Sequence, residues 1–165
     1  MGVNNPNNQL FGFPNSYLVN GATQNLSRFF SIGGTGFGAA TLVASGYRSG
    51  DRLIGNGYIV FGTTVAALGW IQLPAGLTVA TDTSSWSAQT RYFGKGYLVV
   101  QGGALTLTGA SLQYVLFLDE TNKDRLYLAN RAGSNTFLQD NGSSLAAALD
   151  RIAFTFDIPI AQWQT

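Results

Sequence analysis

The sequence predicts an all-β fold, an antiparallel β-sandwich or jelly roll with an extended N-terminal arm, and three observations predict it. Short apolar or alternating runs recur along the chain, separated by Gly, Asn and Asp. No helix-length segment lies between them, so the crossovers a parallel sheet needs are missing. The last run alternates strictly: Ile152, Phe154, Phe156 and Ile158 fall on one face, Ala153, Thr155 and Asp157 on the other. The 165 residues suffice for one domain that removes roughly two-thirds of its unfolded surface from water.

Residues 1–22 read as the arm. They are rich in Asn, Gly and Pro, with Leu10, Phe11, Phe13, Tyr17 and Leu18 at no regular period. Such a segment frays on its own, because its few apolar groups cannot offset the ordering entropy, so a neighbouring subunit is expected to hold it. Residues 23–165 form the β domain. Its expected strands are 26–32, 40–47, 57–62, 66–73, 77–81, 88–93, 96–101, 104–109, 112–118, 125–130, 135–139 and 151–160. Turn signals stand at Ser49 (SGD), Asn56 (NG), Pro74 (PAG), Gly102 (GG), Glu120 (ETNKD) and Asp140 (DNG). Residues 143–151, SSLAAALDR, read as a helix of about two turns capped by Ser143 or Ser144.

One stretch tests this reading. SIGGTGFGAA, residues 31–40, holds Gly34, Gly36 and Ala39 at the spacing of a dinucleotide-binding loop. That loop works only when a helix follows and offers its N-terminus to a pyrophosphate. The residues that follow, TLVASGY, are β-branched and interrupted by Gly46, so the stretch is expected to be a bend where strands approach closely.

Composition narrows function further. Charged residues are 10% of the chain, the net charge is +1 and no run of like charges occurs, which argues against nucleic acid and anionic membranes as partners. There is no His and no Cys, so imidazole and thiolate catalysis, disulfides and the usual zinc ligand sets are excluded. No cofactor or metal is expected: the acids Asp51, Asp82, Asp140, Asp150 and Asp157 stand singly, and no loop has calcium-ligand spacing. Asp119 and Glu120 are adjacent, but they open the polar tip DETNKDR and read as a solvated hairpin loop, not a catalytic pair. The N-terminus lacks a secretory pattern, and no segment has the ~18 apolar residues of a membrane helix.

Two surfaces remain. Trp86, Arg91 and Tyr92 could meet a glycan by ring stacking and hydroxyl bonding, against the plainer reading that they pack in a core or interface. The low charge, the apolar arm and Trp163 beyond the last strand together exceed what one sandwich buries. Symmetric self-association is the expected cover, with Phe154, Phe156, Ile158 and Trp163 at the oligomer interface.

The ending FDIPIAQWQT, residues 156–165, resembles the terminal strand and IPI-x-x-W close of jelly-roll domains in structural proteins of tailed bacteriophages. Residues 96–118, GYLVVQGGALTLTGASLQYVLFL, resemble their Gly, Thr and Ser-rich strands. The resemblance implies a virion component with a homotrimeric head of the tumour-necrosis-factor or C1q kind; no enzymatic activity is expected, on the absent His and Cys and the scattered acids. The sequence departs from a typical tail fibre in having no heptads, repeating shaft or long helical region. A chain with a short arm and one head suits a capsid cement or decoration protein, its arm meeting capsid or other virion proteins through Leu10, Phe11, Phe13 and Tyr17. A tail-fibre head that binds a receptor or cell-surface glycan is the alternative, and a cellular binding module or enzyme is a third class.

Overall fold

The computed structural model describes residues 21–80, 92–101, 104–105, 113–118, 121–130 and 147–164. Their strands are β1 (Gln24–Asn25), β2 (Ser31–Gly34), β3 (Thr41–Ser49), β4 (Arg52–Val60), β5 (Gly69–Gln72), β6 (Tyr92–Gln101), β7 (Ala104–Leu105), β8 (Gln113–Leu118), β9 (Arg125–Asn130) and β10 (Arg151–Pro159). Every pairing is antiparallel, in the order β1, β3, β4, β10, β6, β8, β9, β5, β2, with β7 beside β6. Both halves of this ladder feed one core: Ala44, Leu53, Ile59, Ile152, Phe154, Phe156 and Ile158 come from β3, β4 and β10, and Ile71, Leu126 and Leu128 from β5 and β9. The molecule is therefore an all-β antiparallel sandwich, as the alternating runs predict. The arm lies outside the described residues.

β10 shows how the alternation becomes packing. Ile152, Phe154, Phe156 and Ile158 are buried while Thr155 and Asp157 are exposed. Register places Ala44, Gly57, Phe154 and Gly96 in one row across the sheet, and Gly46, Gly55, Phe156 and Gly94 in the next but one. Each Phe is thus flanked by glycine on both neighbouring strands. A Cβ at Gly55 would lie 2.5 Å from Phe156 Cζ and 2.2 Å from Ser45 O; at Gly57 it would lie 3.0 Å from Phe154 Cζ. The rings cover the strand where its side chains are missing, the cross-strand use of an aromatic over glycine. This corrects the reading of Asn56-Gly57 as a turn. Asn56 is in mid-strand, because the Phe rings supply the packing that two glycines would otherwise forfeit.

The expected turns at Ser49 and Pro74 are present. Gly50, with φ 61°, closes the β3–β4 hairpin, and Gly76, with φ 81°, follows the Pro74 turn. The bend after β2 also behaves as its glycines require: Gly33 lies under the Trp70 ring, and Gly38, with φ 63°, lies against Thr63 O. No helix follows, and the next element is β3.

The helix expected over 143–151 is corrected in its described part. Ala147 to Asp150 form a turn and Arg151 already belongs to β10. The reason is tertiary. Leu149 N–H donates to Phe61 O at 3.0 Å and Phe61 N–H to Asp150 O at 3.0 Å, while the buried Asp150 carboxylate accepts from Ala147 N–H at 2.8 Å. These bonds hold Leu149 at φ 69°, outside the helical region.

The C-terminus closes the sandwich. Ile160 N–H donates to Asp51 O and Ala161 N–H to Thr78 O, and the Gln162 amide both accepts from Thr78 N–H and donates to Thr78 Oγ1. A single 3₁₀ turn, Ala161–Trp163, then drops Trp163 into the core at 7% exposure. The Arg48 guanidinium sits 4.7 Å from that ring's centroid. Burial lowers the Arg48 pKa, and the charge of Asp51 opposes the shift.

The outer edge of β3 is covered in an unusual way. Ala44 O accepts from Leu26 N–H at 2.8 Å and from Ser27 Oγ at 3.2 Å, and Ala44 N–H donates to Ser27 Oγ at 3.0 Å, so the Ser27 hydroxyl and the Leu26 amide together occupy both backbone groups that another strand would pair. Gln24 and Asn25 cover Gly46 and Ser45, and Gly21 N–H reaches Arg48 O.

Candidate association surface

The residues that do not enter the core define the other face of the same layer. On β3, β4, β10 and β6 the outward positions fall into register as rows: Val43, Tyr58 and Ala153 in one, and Ser45, Asn56, Thr155 and Lys95 in the next. Tyr47, Ile54 and Asp157 form a third, and Thr41, Val60 and Arg151 close the face at its other end. Between the first two rows lies an open hollow of about 380 Å³, lined by Val43, Ser45, Asn56, Tyr58, Lys95 and Thr155 among others.

Its chemistry is mostly uncharged. Ser45 Oγ donates to Asn56 Oδ1 at 2.8 Å, which leaves the Asn56 amide nitrogen free to donate outward. Charges stand at the border. Arg52 Nε donates to Asp157 Oδ1, and the Arg151 guanidinium lies 4.8 Å from the Tyr58 ring centroid. The exposed Arg52 and Asp157 pair is screened by solvent and contributes at most about 1 kcal/mol. Lys95 is the charge that reaches into the hollow. A broad sheet face with aromatic and small polar side chains inside and, Lys95 apart, charges at its rim has the make-up of a protein–protein contact.

The sequence-predicted residues fall as follows. Phe154, Phe156, Ile158 and Trp163 are all members of the chain's own core. The β10 side chains left facing outward are Ala153, Thr155 and Asp157. Tyr92 opens β6 opposite Phe117; Trp86, Arg91, Asp119, Glu120 and the arm residues Leu10, Phe11, Phe13 and Tyr17 lie outside the described residues. Nothing in the sequence marks Ser45, Asn56 and Thr155 individually. Only strand register brings them together, and the sole local signal is that Ser45 and Thr155 each alternate with buried neighbours.

A second aromatic site is built differently. Trp70 on β5 lies over Gly33, with the Arg125 guanidinium 4.3 Å from its centroid and Tyr127 at 6.1 Å. Its Nε1–H donates to Gln72 Oε1 at 3.1 Å. With glycine beneath the ring and a guanidinium against it, Trp70 offers no open face for stacking a sugar. Among the described residues no group of three or more acidic side chains could hold a metal ion, and no described helix is long and apolar enough to cross a membrane.

These features define a class, an antiparallel β-sandwich with one broad, weakly charged sheet face. No family model matches the sequence, and no curated protein matches it. Among solved structures the chain is similar to the Dettilon tailspike protein, gp208, at 14% identity and a TM-score of 0.49. That match covers 84% of this chain and 24% of the tailspike chain, so this sequence spans about a quarter of that protein. A likeness at this level carries no statement about function.

Proposed function

We propose that the protein is a structural component of a phage particle that works by self-association, as a homotrimer built on the outer face of β3, β4, β10 and β6. The observation that carries the self-association is that face: four strands of register-matched Val, Tyr, Ala, Ser, Asn and Thr with charge confined largely to its rim. The phage assignment is supported by the FDIPIAQWQT ending, which forms the last half of β10 and the Trp163 closure. The role is mechanical, in keeping with a chain that has no His and no Cys for catalysis.

The specific form proposed is a capsid cement or decoration protein, its residues 1–22 running along the capsid surface through Leu10, Phe11, Phe13 and Tyr17. Cryo-microscopy of the intact particle tests it, with trimeric density expected on the capsid. Density on the tail instead would move the protein to a fibre or receptor-binding role, and absence from the particle would end the virion reading. Deleting residues 2–20 is expected to leave a folded oligomer that no longer binds capsids. Unchanged binding would remove the arm from the mechanism.

A further inference from the structure

Three large apolar side chains stand open among the described residues: Val65 and Leu68, each 43% exposed, and Leu149, 61% exposed. The backbone gathers them at one end of the sandwich. Leu149 N–H donates to Phe61 O, where the loop carrying Val65 and Leu68 begins. That loop folds onto the glycine bend, Val65 N–H donating to Gly36 O and Gly36 N–H to Leu68 O, both at 3.1 Å.

Leu149 is the described non-glycine residue held at positive φ. A leucine there is strained, whereas Gly or Asn adopts the same backbone readily. The chain enforces the conformation through Phe61 and Asp150, yet leaves most of the Leu149 side chain in solvent. Its own core therefore gains little from the leucine.

We propose that Val65, Leu68 and Leu149 extend the self-association face and are covered by a second copy of this chain, an inference that rests on the self-association reading above. Charge commits the occupant. Residues 61–72 and 147–149 contain no charged side chain, so an acidic or basic partner finds no complement there, while the same neutral surface on another copy does. Area and continuity point the same way. Four strands and four rows span roughly 14 by 20 Å, about 300 Å² of flat area, against the ~800 Å² each partner gives to a standard interface. An interface of standard size takes in ground beyond these rows, and the row of Thr41, Val60 and Arg151 ends where the two loops emerge, one residue before Phe61 and two after Leu149.

Sedimentation velocity on the full chain across micromolar concentrations tests the proposal, with Leu149→Asn as the main variant because Asn tolerates the left-handed backbone. The midpoint concentration of assembly is expected to rise at least about tenfold, the scale of an interface hot spot. The thermal midpoint of the dilute, unassembled chain is expected to hold or rise. Val65→Ser gives a second reading should Leu149→Asn fold poorly, and Asn56→Asp, on the sheet face itself, serves as the reference. If both loop variants assemble like the parent while Asn56→Asp weakens assembly, the apolar end is no part of the interface and the self-association reading stands. A parent chain that stays monomeric at every concentration sinks both. A lowered thermal midpoint with unchanged assembly would assign Leu149 to its own fold.

Discussion

The inner and outer faces of β10 share one backbone and differ in what their side chains are for. Inward, Phe154 and Phe156 lean over Gly57 and Gly55 of β4 and stand opposite Gly96 and Gly94 of β6, so the packing is specific to large rings in fixed places. Outward, Ala153, Thr155 and Asp157 are short and stand beside Val43, Ser45, Asn56 and Tyr58. The inner face fixes the fold, and its residues have no freedom to serve a partner. The outer face leaves the fold nearly indifferent, which is the condition for carrying an association surface.

Substitutions can break or sharpen that contrast. Phe156→Ala is expected to have the largest effect, about 4–5 kcal/mol by chemical denaturation, because the glycines beside it have no side chains with which to fill the void. A loss under about 2 kcal/mol would mean the layer collapses around the gap. Trp163→Ala follows at about 3–4 kcal/mol, removing the ring under Arg48 and loosening the C-terminal closure. Gly55→Ala is expected to destabilise by about 1–3 kcal/mol, since its Cβ meets both Phe156 and the Ser45 carbonyl. Pairing it with Phe156→Leu should recover part of the loss, and no recovery would place the strain in the backbone contact alone. On the outer face, Asn56→Asp should alter the stability of the unassembled chain by no more than about 0.5 kcal/mol. Its effect belongs in the oligomer distribution measured by sedimentation. Smallest of all is the coupling of Arg52 to Asp157, which a double-mutant cycle should put below about 1 kcal/mol, falling further with salt.

The same contrast explains what the sequence discloses. Alternation from Ile152 to Ile158 is legible because burial acts on every second side chain, and the β3–β4 hairpin is legible because Gly50 takes a backbone that other residues avoid. Asn56-Gly57 misleads, since local propensity cannot register a Phe ring arriving from a strand nearly a hundred residues later. Leu149 misleads for a related reason: alanines and leucine favour a helix, and bonds to Phe61 overrule them. The outer rows are assembled from four strands distant in sequence, so their residue types, ordinary taken singly, give no sign of a surface. Alternation reveals that β10 has an apolar side, but whether that side meets its own chain or another is decided by the second layer of the sandwich.

The Ser27 hydroxyl on Ala44 has a consequence for growth by polymerisation. An uncovered sheet edge is a template on which identical chains can add one after another without limit, and a protein crowded at many copies onto one scaffold would be at particular risk of forming fibres. The serine side chain, with the Leu26 amide beside it, answers the backbone's donor and acceptor and acts as a chain terminator at that rung. With the edge stoppered over residues 44–48, lateral addition is blocked there, and the proposed face-to-face contact is left as a route that can close on a small, countable ring.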